Sequence, residues 1–309
     1  MHFSALAVLE DSLLLTGNNR EYVLRPFNIA VPGEELLLKG CLCTPAKRSG
    51  YYYGVAYPKK RIVLHYTAGQ IRSDLSTLTR NDYHVSVPFV IGRNGTIYQL
   101  FSSRYWSGHL GKGIGNTQNG NAEDKVTIGI ELSNYGYLVK QDDNFETVYS
   151  RQRLSNGKSG PADIYCSEEE QTAYHELPVA FRGQRYFASY TPGQYQSLIV
   201  LLRYLTAQYG IERNFLPEPQ RYNSTAEVLN FSGIVSHINY RPDGKWDIGP
   251  AFDWQQVIEG VQAERYPQPA AARMAVSRNR REKILTSEEA MESFLPAPAN
   301  PLTEDEEYE

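Results

Sequence analysis

The chain of 309 residues is 41% hydrophobic, enough to build the core of one catalytic domain with additions. Its formal charge of −4 at pH 7 gives no cationic field, and its basic residues are scattered apart from a cluster at 278–281, so we expect no nucleic-acid partner. No stretch approaches the roughly 20 apolar residues of a membrane-spanning helix, so we expect no membrane insertion.

Two further features of the composition bear on the compartment. Glu10 and Asp11 fall where a signal peptide would have its apolar core, which predicts synthesis in the cytoplasm without a signal peptide. The three cysteines, Cys41, Cys43 and Cys166, leave at least one thiol free, and the Cys-x-Cys pair is a poor match to zinc-ribbon spacing. We interpret them as reduced or buried thiols.

Residues 1–58 alternate short apolar runs with turn signals. Leucine runs at 13–15 and 36–38 alternate with turn-forming residues at 17–19 and 31–33. This pattern predicts a small β-rich N-terminal segment.

Residues 59–266 contain the elements expected of a catalytic domain. A buried strand is predicted at 61–66, a helix or loop at 71–82, and a central strand at 126–132, whose nearly continuous apolar residues suit a strand covered on both faces. Between them, Arg93-Asn94-Gly95 with apolar residues on both sides predicts a β-hairpin.

A polar, turn-rich stretch at 138–190 divides this region, and we interpret it as an insertion. Thr191 and Pro192 then predict a capped helix with a leucine-rich face that ends before Gly210. Asp253 is predicted to cap a last helix.

Residues 267–309 differ in composition from the rest of the chain. Alanine, arginine and glutamate give way to prolines and then to an acidic end. This composition is typical of a weakly structured, largely flexible C-terminal tail, with a short helix predicted at 286–294.

An imidazole, an ammonium and a carboxylate lie together in the stretch 236–250 (SHINYRPDGKWDIGP). His237 and Asp247 are too far apart for one helical face, so a loop with a proline and a glycine must bring them together. A third ligand has to come from elsewhere, and His65 is the candidate, because open α/β sheets place ligands at the carboxyl ends of their strands. Two imidazoles and a carboxylate are typical of a catalytic zinc site that keeps one position open.

Two charged residues could act beside such a metal. Glu131 is a single carboxylate within the apolar strand at 126–132, and a buried acid is costly without a partner. Lys245 lies two residues before Asp247, so an extended backbone would point both side chains to the same side. We expect Glu131 to act as a general base and Lys245 to face the developing oxyanion.

Four blocks of sequence, in this order, resemble one known family. The chain is similar to the zinc-dependent N-acetylmuramoyl-L-alanine amidases of the type-2 group, which includes phage amidases, bacterial muropeptide amidases and animal peptidoglycan recognition proteins. The resemblance spans roughly residues 60–256. The blocks are 62–69 (IVLHYTAG), 85–101 (VSVPFVIGRNGTIYQLF), 109–111 (HLG) with 127–135 (TIGIELSNY), and 236–254 (SHINYRPDGKWDIGPAFDW).

The resemblance implies a fold and a set of roles. It implies an α/β fold of three layers, α/β/α, with a mixed central sheet flanked by helices, in addition to the β-rich segment and the tail. It places one catalytic Zn²⁺ on His65, His237 and Asp247, and it makes Glu131 the catalytic glutamate. His109 matches a family histidine near the substrate cleft, which favours a substrate-binding role over that of an ordinary surface histidine.

The resemblance also implies an activity and partners. We expect an enzyme that hydrolyses the amide between N-acetylmuramic acid and the L-alanine of the stem peptide, with peptidoglycan or muropeptides as its partner. A recognition module without catalysis is the alternative, but it would typically have lost a ligand. The additions at both ends favour a lytic enzyme of a phage or injection system, acting on the wall after release, with a delivery-apparatus partner at the termini; cytosolic recycling of muropeptides remains open.

Overall fold

The computed structural model describes residues 2–16, 22–46, 50–116, 121–155 and 157–266. The helices in these ranges are α1 (Phe3–Thr16), α2 (Ile71–Leu78), α3 (Ala122–Val126), α4 (Pro192–Tyr209), α5 (Glu218–Arg221) and α6 (Trp254–Gln262). The strands are β1 (Tyr22–Ala30), β2 (Leu37–Pro45), β3 (Arg61–Tyr66), β4 (Phe89–Ile91), β5 (Ile97–Gln99), β6 (Thr127–Leu132), β7 (Tyr137–Gln141), β8 (Asn144–Glu146), β9 (Ile164–Ser167), β10 (Tyr174–Phe181), β11 (Gln184–Ala188) and β12 (Gly233–Ser236). None of these helices is long and apolar enough to span a lipid bilayer.

The centre of the molecule is a seven-stranded mixed sheet with the order β1-β2-β5-β4-β6-β3-β12. Strands β4, β6, β3 and β12 run parallel to one another, whereas β1 pairs antiparallel with β2 and β4 antiparallel with β5. Helices α4 and α6 cover one face, and α1 and α2 pack against the other. The predicted three-layer α/β/α fold is confirmed.

Side chains of β3 alternate between the two faces of the sheet. Ile62 and Leu64 belong to the core beneath α4 and α6, and Val63 belongs to a separate core on the opposite face. Because successive strand residues point to opposite faces, His65 lies on the same side as Val63. The parallel register sets His65 beside Glu131 of β6.

Local sequence signals placed several elements correctly. Strand β3 has the predicted bounds, and the Asn-Gly turn joins β4 to β5, with Gly95 at a φ of +83°. Helix α4 begins with a capping box between Thr191 and Gln194 and ends at Gly210 in the left-handed conformation. Asp253 caps α6 by accepting a hydrogen bond from the backbone N–H of Gln256.

The N-terminal segment differs from its prediction in one element. Residues 3–16 form helix α1, although the leucine run within them was interpreted as part of a β-rich segment. Leu6, Glu10 and Leu13 are buried, and their spacing of four and three residues is that of one helical face. The β1–β2 hairpin is present, and β2 pairs with β5, so these strands extend the central sheet. The domain boundary at residue 58 stays a prediction.

The stretch interpreted as an insertion contributes most of a second sheet. Its five antiparallel strands have the order β10-β11-β7-β8-β9, and they enclose a small core of their own with Tyr135 and Leu138. Leu6 of α1 packs into this core. The predicted tail helix at 286–294 lies outside the described residues.

Candidate metal centre and pocket

Three predicted ligands converge at the carboxyl ends of β3 and β12. His237 follows β12 directly and begins a short 3₁₀ helix, and the chain returns at Asp247, whose carbonyl accepts a hydrogen bond from the N–H of Ile238 at 3.0 Å. The Nδ1 atoms of His65 and His237 are 2.9 Å apart. Asp247 Oδ2 lies 2.9 Å from Nδ1 of His237 and 3.2 Å from Nδ1 of His65. The structure therefore brings together the three residues that the sequence singled out.

The hydrogen bonds on the far side of each ring assign its tautomer. Nε2 of His237 lies 3.1 Å from the carbonyl oxygen of Leu110, which can only accept, so Nε2 carries a proton, and this tautomer leaves Nδ1 with the lone pair that a metal needs. The tautomer of His65 is set by His109, whose own tautomer is set by Thr127. Thr127 donates its hydroxyl to the carbonyl of Glu123 at 2.6 Å, so its oxygen accepts from Nε2 of His109 at 2.9 Å.

With its Nε2 donating to Thr127, the neutral ring of His109 has an acceptor at Nδ1. That atom is 2.9 Å from Nε2 of His65, which therefore donates and leaves Nδ1 of His65 as a lone pair. Burial, with the neighbouring His237 adding to it, lowers the pKa of His65 to about 4, so the ring is neutral at pH 7.

The donor set fits a metal ion. The two ring nitrogens with lone pairs and the carboxylate oxygen face one another, and these three atoms all lie within 4.8 Å of one another. Acceptors gathered without a proton between them repel one another, and a cation at their centre removes that repulsion. Each histidine also has a partner for its other nitrogen, as metal-binding histidines almost always do.

Glu131 lies beside this cluster with an unpartnered atom. Its Oε2 is buried and has no hydrogen-bond partner within the described residues. Burial, together with the charges of Asp247 and Asp74, raises the pKa of Glu131 well above its usual range, while Lys245 opposes the shift. A buried carboxylate oxygen without a partner is costly, so the atom is placed for a molecule that enters the pocket.

All six predicted site residues line one cavity of about 360 Å³. Lys245 and Trp246 enter it from the loop that precedes Asp247. Tyr137 of β7 and Val148, which follows β8, form part of one wall of the cavity. Val85 and Val87, which precede β4, also line it. The cavity thus joins charged groups to apolar and aromatic walls, which is the usual composition of a ligand pocket.

His109 lies at the cavity, where its ring also contacts other residues of the protein. Its ring lines the cavity, but both of its nitrogens are engaged by the protein, at His65 and at Thr127. An added Cβ at Gly129 would lie 2.5 Å from a methyl carbon of Val87 and 3.2 Å from Nδ1 of His109, so the glycine of β6 makes room for both side chains. A substrate contact by His109 stays a prediction; the contacts that are seen hold His65.

Three residues around the site were not predicted from the sequence. Thr127 fixes the ring of His109, and Asp124 accepts hydrogen bonds from the N–H groups of His109 and Leu110 at 2.8 and 3.0 Å. Trp246 borders the cavity beside Tyr137, with ring centroids 4.8 Å apart. Thr127 could have been found from the sequence, because it lies on the same face of β6 as Gly129 and Glu131.

The fold and these residues define an α/β domain with a candidate metal centre in a lined cavity. The family model described as N-acetylmuramoyl-L-alanine amidase matches residues 56–250. The chain belongs to this family.

One curated relative and two solved structures illustrate the likeness. The chain is 29% identical over 238 residues to the N-acetylmuramoyl-L-alanine amidase AmiD of Escherichia coli (strain K12), a match covering 72% of this chain and 64% of AmiD. The chain therefore spans less than two thirds of that relative's length. A structure of Escherichia coli AmiD in complex with the substrate anhydro-N-acetylmuramic acid-L-Ala-D-gamma-Glu-L-Lys is 24% identical, with a TM-score of 0.40, covering 81% of this chain and 70% of that one. The structure of AmpDh3 from Pseudomonas aeruginosa is 18% identical, with a TM-score of 0.39, covering 74% and 68%.

Proposed function

We propose that this protein hydrolyses the amide bond between N-acetylmuramic acid and the L-alanine of a peptidoglycan stem peptide, using one Zn²⁺ held by His65, His237 and Asp247. The observation that carries the proposal is the convergence of Nδ1 of His65, Nδ1 of His237 and Oδ2 of Asp247 beside Glu131, whose Oε2 has no hydrogen-bond partner in the described part of the chain. Membership of the amidase family supports the reaction. Peptidoglycan is also the substrate class suggested by the relative AmiD.

The choice of zinc follows from the ligands. Zinc takes imidazole nitrogen and carboxylate oxygen in a tetrahedral site, and three protein ligands leave one position open, which is the catalytic arrangement. When bound, Zn²⁺ lowers the pKa of a water molecule towards about 7 and polarises a carbonyl oxygen.

The protein's own groups carry the proton transfers and the charge. Glu131 accepts the proton of the attacking water at its carboxylate and passes it to the leaving nitrogen of L-alanine. Burial favours this role, because it raises the pKa of Glu131 well above its usual range and so makes the carboxylate a stronger base. Lys245 presents its ammonium to the oxygen on which negative charge develops, a kind of contact that is typically worth about 3 to 4 kcal/mol.

The walls of the cavity suit a peptide attached to a sugar. Tyr137 and Trp246 offer aromatic faces, and Val85, Val87 and Val148 offer apolar contact. We propose that the wall from the second sheet contacts the stem peptide. The retention of all three ligands, Glu131 and Lys245 favours an enzyme over a recognition module.

Mass spectrometry of purified peptidoglycan after incubation with the protein tests the proposal. Free stem peptides that begin at L-alanine, released by the wild type and not by Glu131→Gln, are the expected result. Intact muropeptides that bind tightly but are not cut would favour the recognition module. Cleavage at another bond would contradict the proposed reaction.

A further inference from the structure

The loop at 241–246 carries part of the proposed active site without regular secondary structure of its own. It supplies Lys245 and Trp246 to the cavity and leads directly into Asp247. Residues 242–244 within it are exposed. Some other part of the molecule has to hold such a loop in place.

Arg182 of the second sheet reaches this loop. Its Nη1 donates to the carbonyl oxygen of Lys245 at 2.5 Å, and its Nη2 to that of Arg241 at 3.4 Å. In return, the indole Nε1 of Trp246 donates to the carbonyl oxygen of Arg182 at 3.1 Å. One residue is thus joined to both ends of the loop and to the tryptophan that borders the cavity.

Apolar packing supports the same contact. Phe181, next to Arg182, lies so close to Gly249 that an added Cβ there would be 3.0 Å from its ring. The ring of Phe181 also meets Tyr222 edge-on, with centroids 6.2 Å apart. The end of the β10–β11 hairpin therefore docks beside the metal-binding loop.

The backbone at Arg182 provides a second, independent observation. Phe181 pairs with Gln184, so Arg182 and Gly183 form a two-residue turn, and both have positive φ, of +50° and +80°. Such turns favour asparagine or glycine at both positions, and a left-handed arginine is uncommon. Because arginine does not suit this turn conformation, its presence indicates that the side chain has another role.

We propose that Arg182 is a positioning residue of the active site, which holds the loop at 241–246 so that Lys245 and Trp246 face the cavity. This inference rests on the proposed amidase function for its kinetic consequences, but its structural part is independent of that function. The guanidinium acts through the loop and does not touch the reacting atoms.

The variant Arg182→Asn separates positioning from folding. Asparagine suits the left-handed turn, so the hairpin keeps its stability while the guanidinium is lost. Arg185→Asn is the matched control, because Arg185 is exposed on the same hairpin and pairs with Glu176. Arg182→Lys retains a charge that can reach only one carbonyl at a time, and it is expected to restore part of the activity.

Hydrogen exchange of the amides of Arg241 and of residues 243–247 in the full chain is the first readout. We expect faster exchange in Arg182→Asn, exchange as in the wild type for Arg185→Asn, and unchanged thermal unfolding in both. Unchanged exchange in Arg182→Asn would overturn the proposal, whether or not the protein cleaves peptidoglycan. If the wild type does not cleave and exchange still rises in Arg182→Asn, the amidase function fails while the loop contact stands.

The kinetic readout is a double-mutant cycle with Lys245→Ala. In the wild-type background, Arg182→Asn should lower kcat about 10-fold to 100-fold and change KM less, as misplaced catalytic groups do. In the Lys245→Ala background it should have little further effect on kcat, because the two residues act as one unit. An equal loss of kcat in both backgrounds would overturn the assignment to Lys245.

Discussion

The ring of His109 stands behind that of His65, with its Nδ1 2.9 Å from Nε2 of His65. The contact continues to Thr127, whose hydroxyl lies 2.9 Å from the other nitrogen of His109. This chain of hydrogen bonds frees Nδ1 of His65 for a metal. His109 therefore acts on the candidate metal centre through its neighbour.

Replacing His109 by alanine should weaken zinc binding about 10-fold to 100-fold, as loss of a partner behind a metal-binding histidine typically does. A competition titration with a coloured chelator measures the affinity. Thr127→Val, which removes only the hydroxyl, should weaken binding by a smaller factor. A raised KM for muropeptide with unchanged zinc affinity would instead support the substrate contact that the sequence predicted.

The three proposed ligands can be tested by metal content. His65→Ala, His237→Ala and Asp247→Ala should each lose zinc on dialysis and lose activity, because two remaining ligands do not hold the ion tightly. His175→Ala is the control, since His175 is exposed on β10. Mass spectrometry of the metal bound per chain gives the result. Retention of a full zinc equivalent in any of the three variants would remove that residue from the ligand set.

Glu131→Gln should separate metal binding from catalysis. The amide keeps the shape of the side chain but cannot accept the proton, so turnover should fall about 10²-fold to 10⁴-fold while zinc remains bound. Its stability should equal or exceed that of the wild type, because the amide carries no charge whose burial opposes folding. Activity within a factor of a few of the wild type would rule out Glu131 as the base.

Asp74 should make stability fall as pH rises. Its carboxylate is buried in the first turn of α2, where it accepts hydrogen bonds from Ser133 and Thr67 at 2.6 and 2.9 Å. Burial is the main cause that raises the pKa of Asp74 to about 7. Between about pH 4 and pH 7 the carboxyl of Asp74 therefore stays protonated in the folded protein but ionises in the unfolded chain, whose aspartate pKa is about 4. The free energy of unfolding falls across this range as pH rises to about 7.

Asp74→Asn mimics the protonated carboxyl, so it should remove this part of the pH dependence. The contribution of Asp74 to the slope of the unfolding free energy against pH is at most about 1.4 kcal/mol for each pH unit. Denaturant unfolding at pH 5 and pH 7.5 of the wild type, Asp74→Asn and the exposed control Asp82→Asn measures it. The same pH dependence in Asp74→Asn as in the wild type would show that the carboxyl is ionised throughout.

The sequence predicted those parts of the fold that depend on local signals. Strand β3, the Asn-Gly hairpin and the capped helix α4 are each specified by a few neighbouring residues. Helix α1 was missed because its short leucine run suits a strand as well, and because its buried face includes a charged residue, Glu10, which accepts hydrogen bonds from two N–H groups of the β4–β5 turn. The second sheet was missed because its strands are separated by polar, turn-rich segments and depend on pairing with one another.

The sequence indicated the candidate ligands and the candidate base, but not the residues that orient them. His65 and His237 lie at strand ends and Glu131 within an apolar strand, where their residue types stand out, and Asp247 follows His237 in the same short stretch. The orientation of His109 could not be predicted, because it is set by Thr127 and by the hydrogen bonds that Asp124 accepts. Arg182 gave no signal, since its partners are backbone carbonyls about 60 positions away, at Arg241 and Lys245.

A zinc titration of metal-free protein, with bound zinc and released stem peptide followed together, tests whether the proposed metal centre performs the cleavage. Peptide release should rise in proportion to bound zinc, stop rising at one ion per chain, and stay absent in Glu131→Gln at full zinc loading. Release of stem peptide by the metal-free protein, at the rate of the loaded protein, would contradict the proposed role of the metal centre.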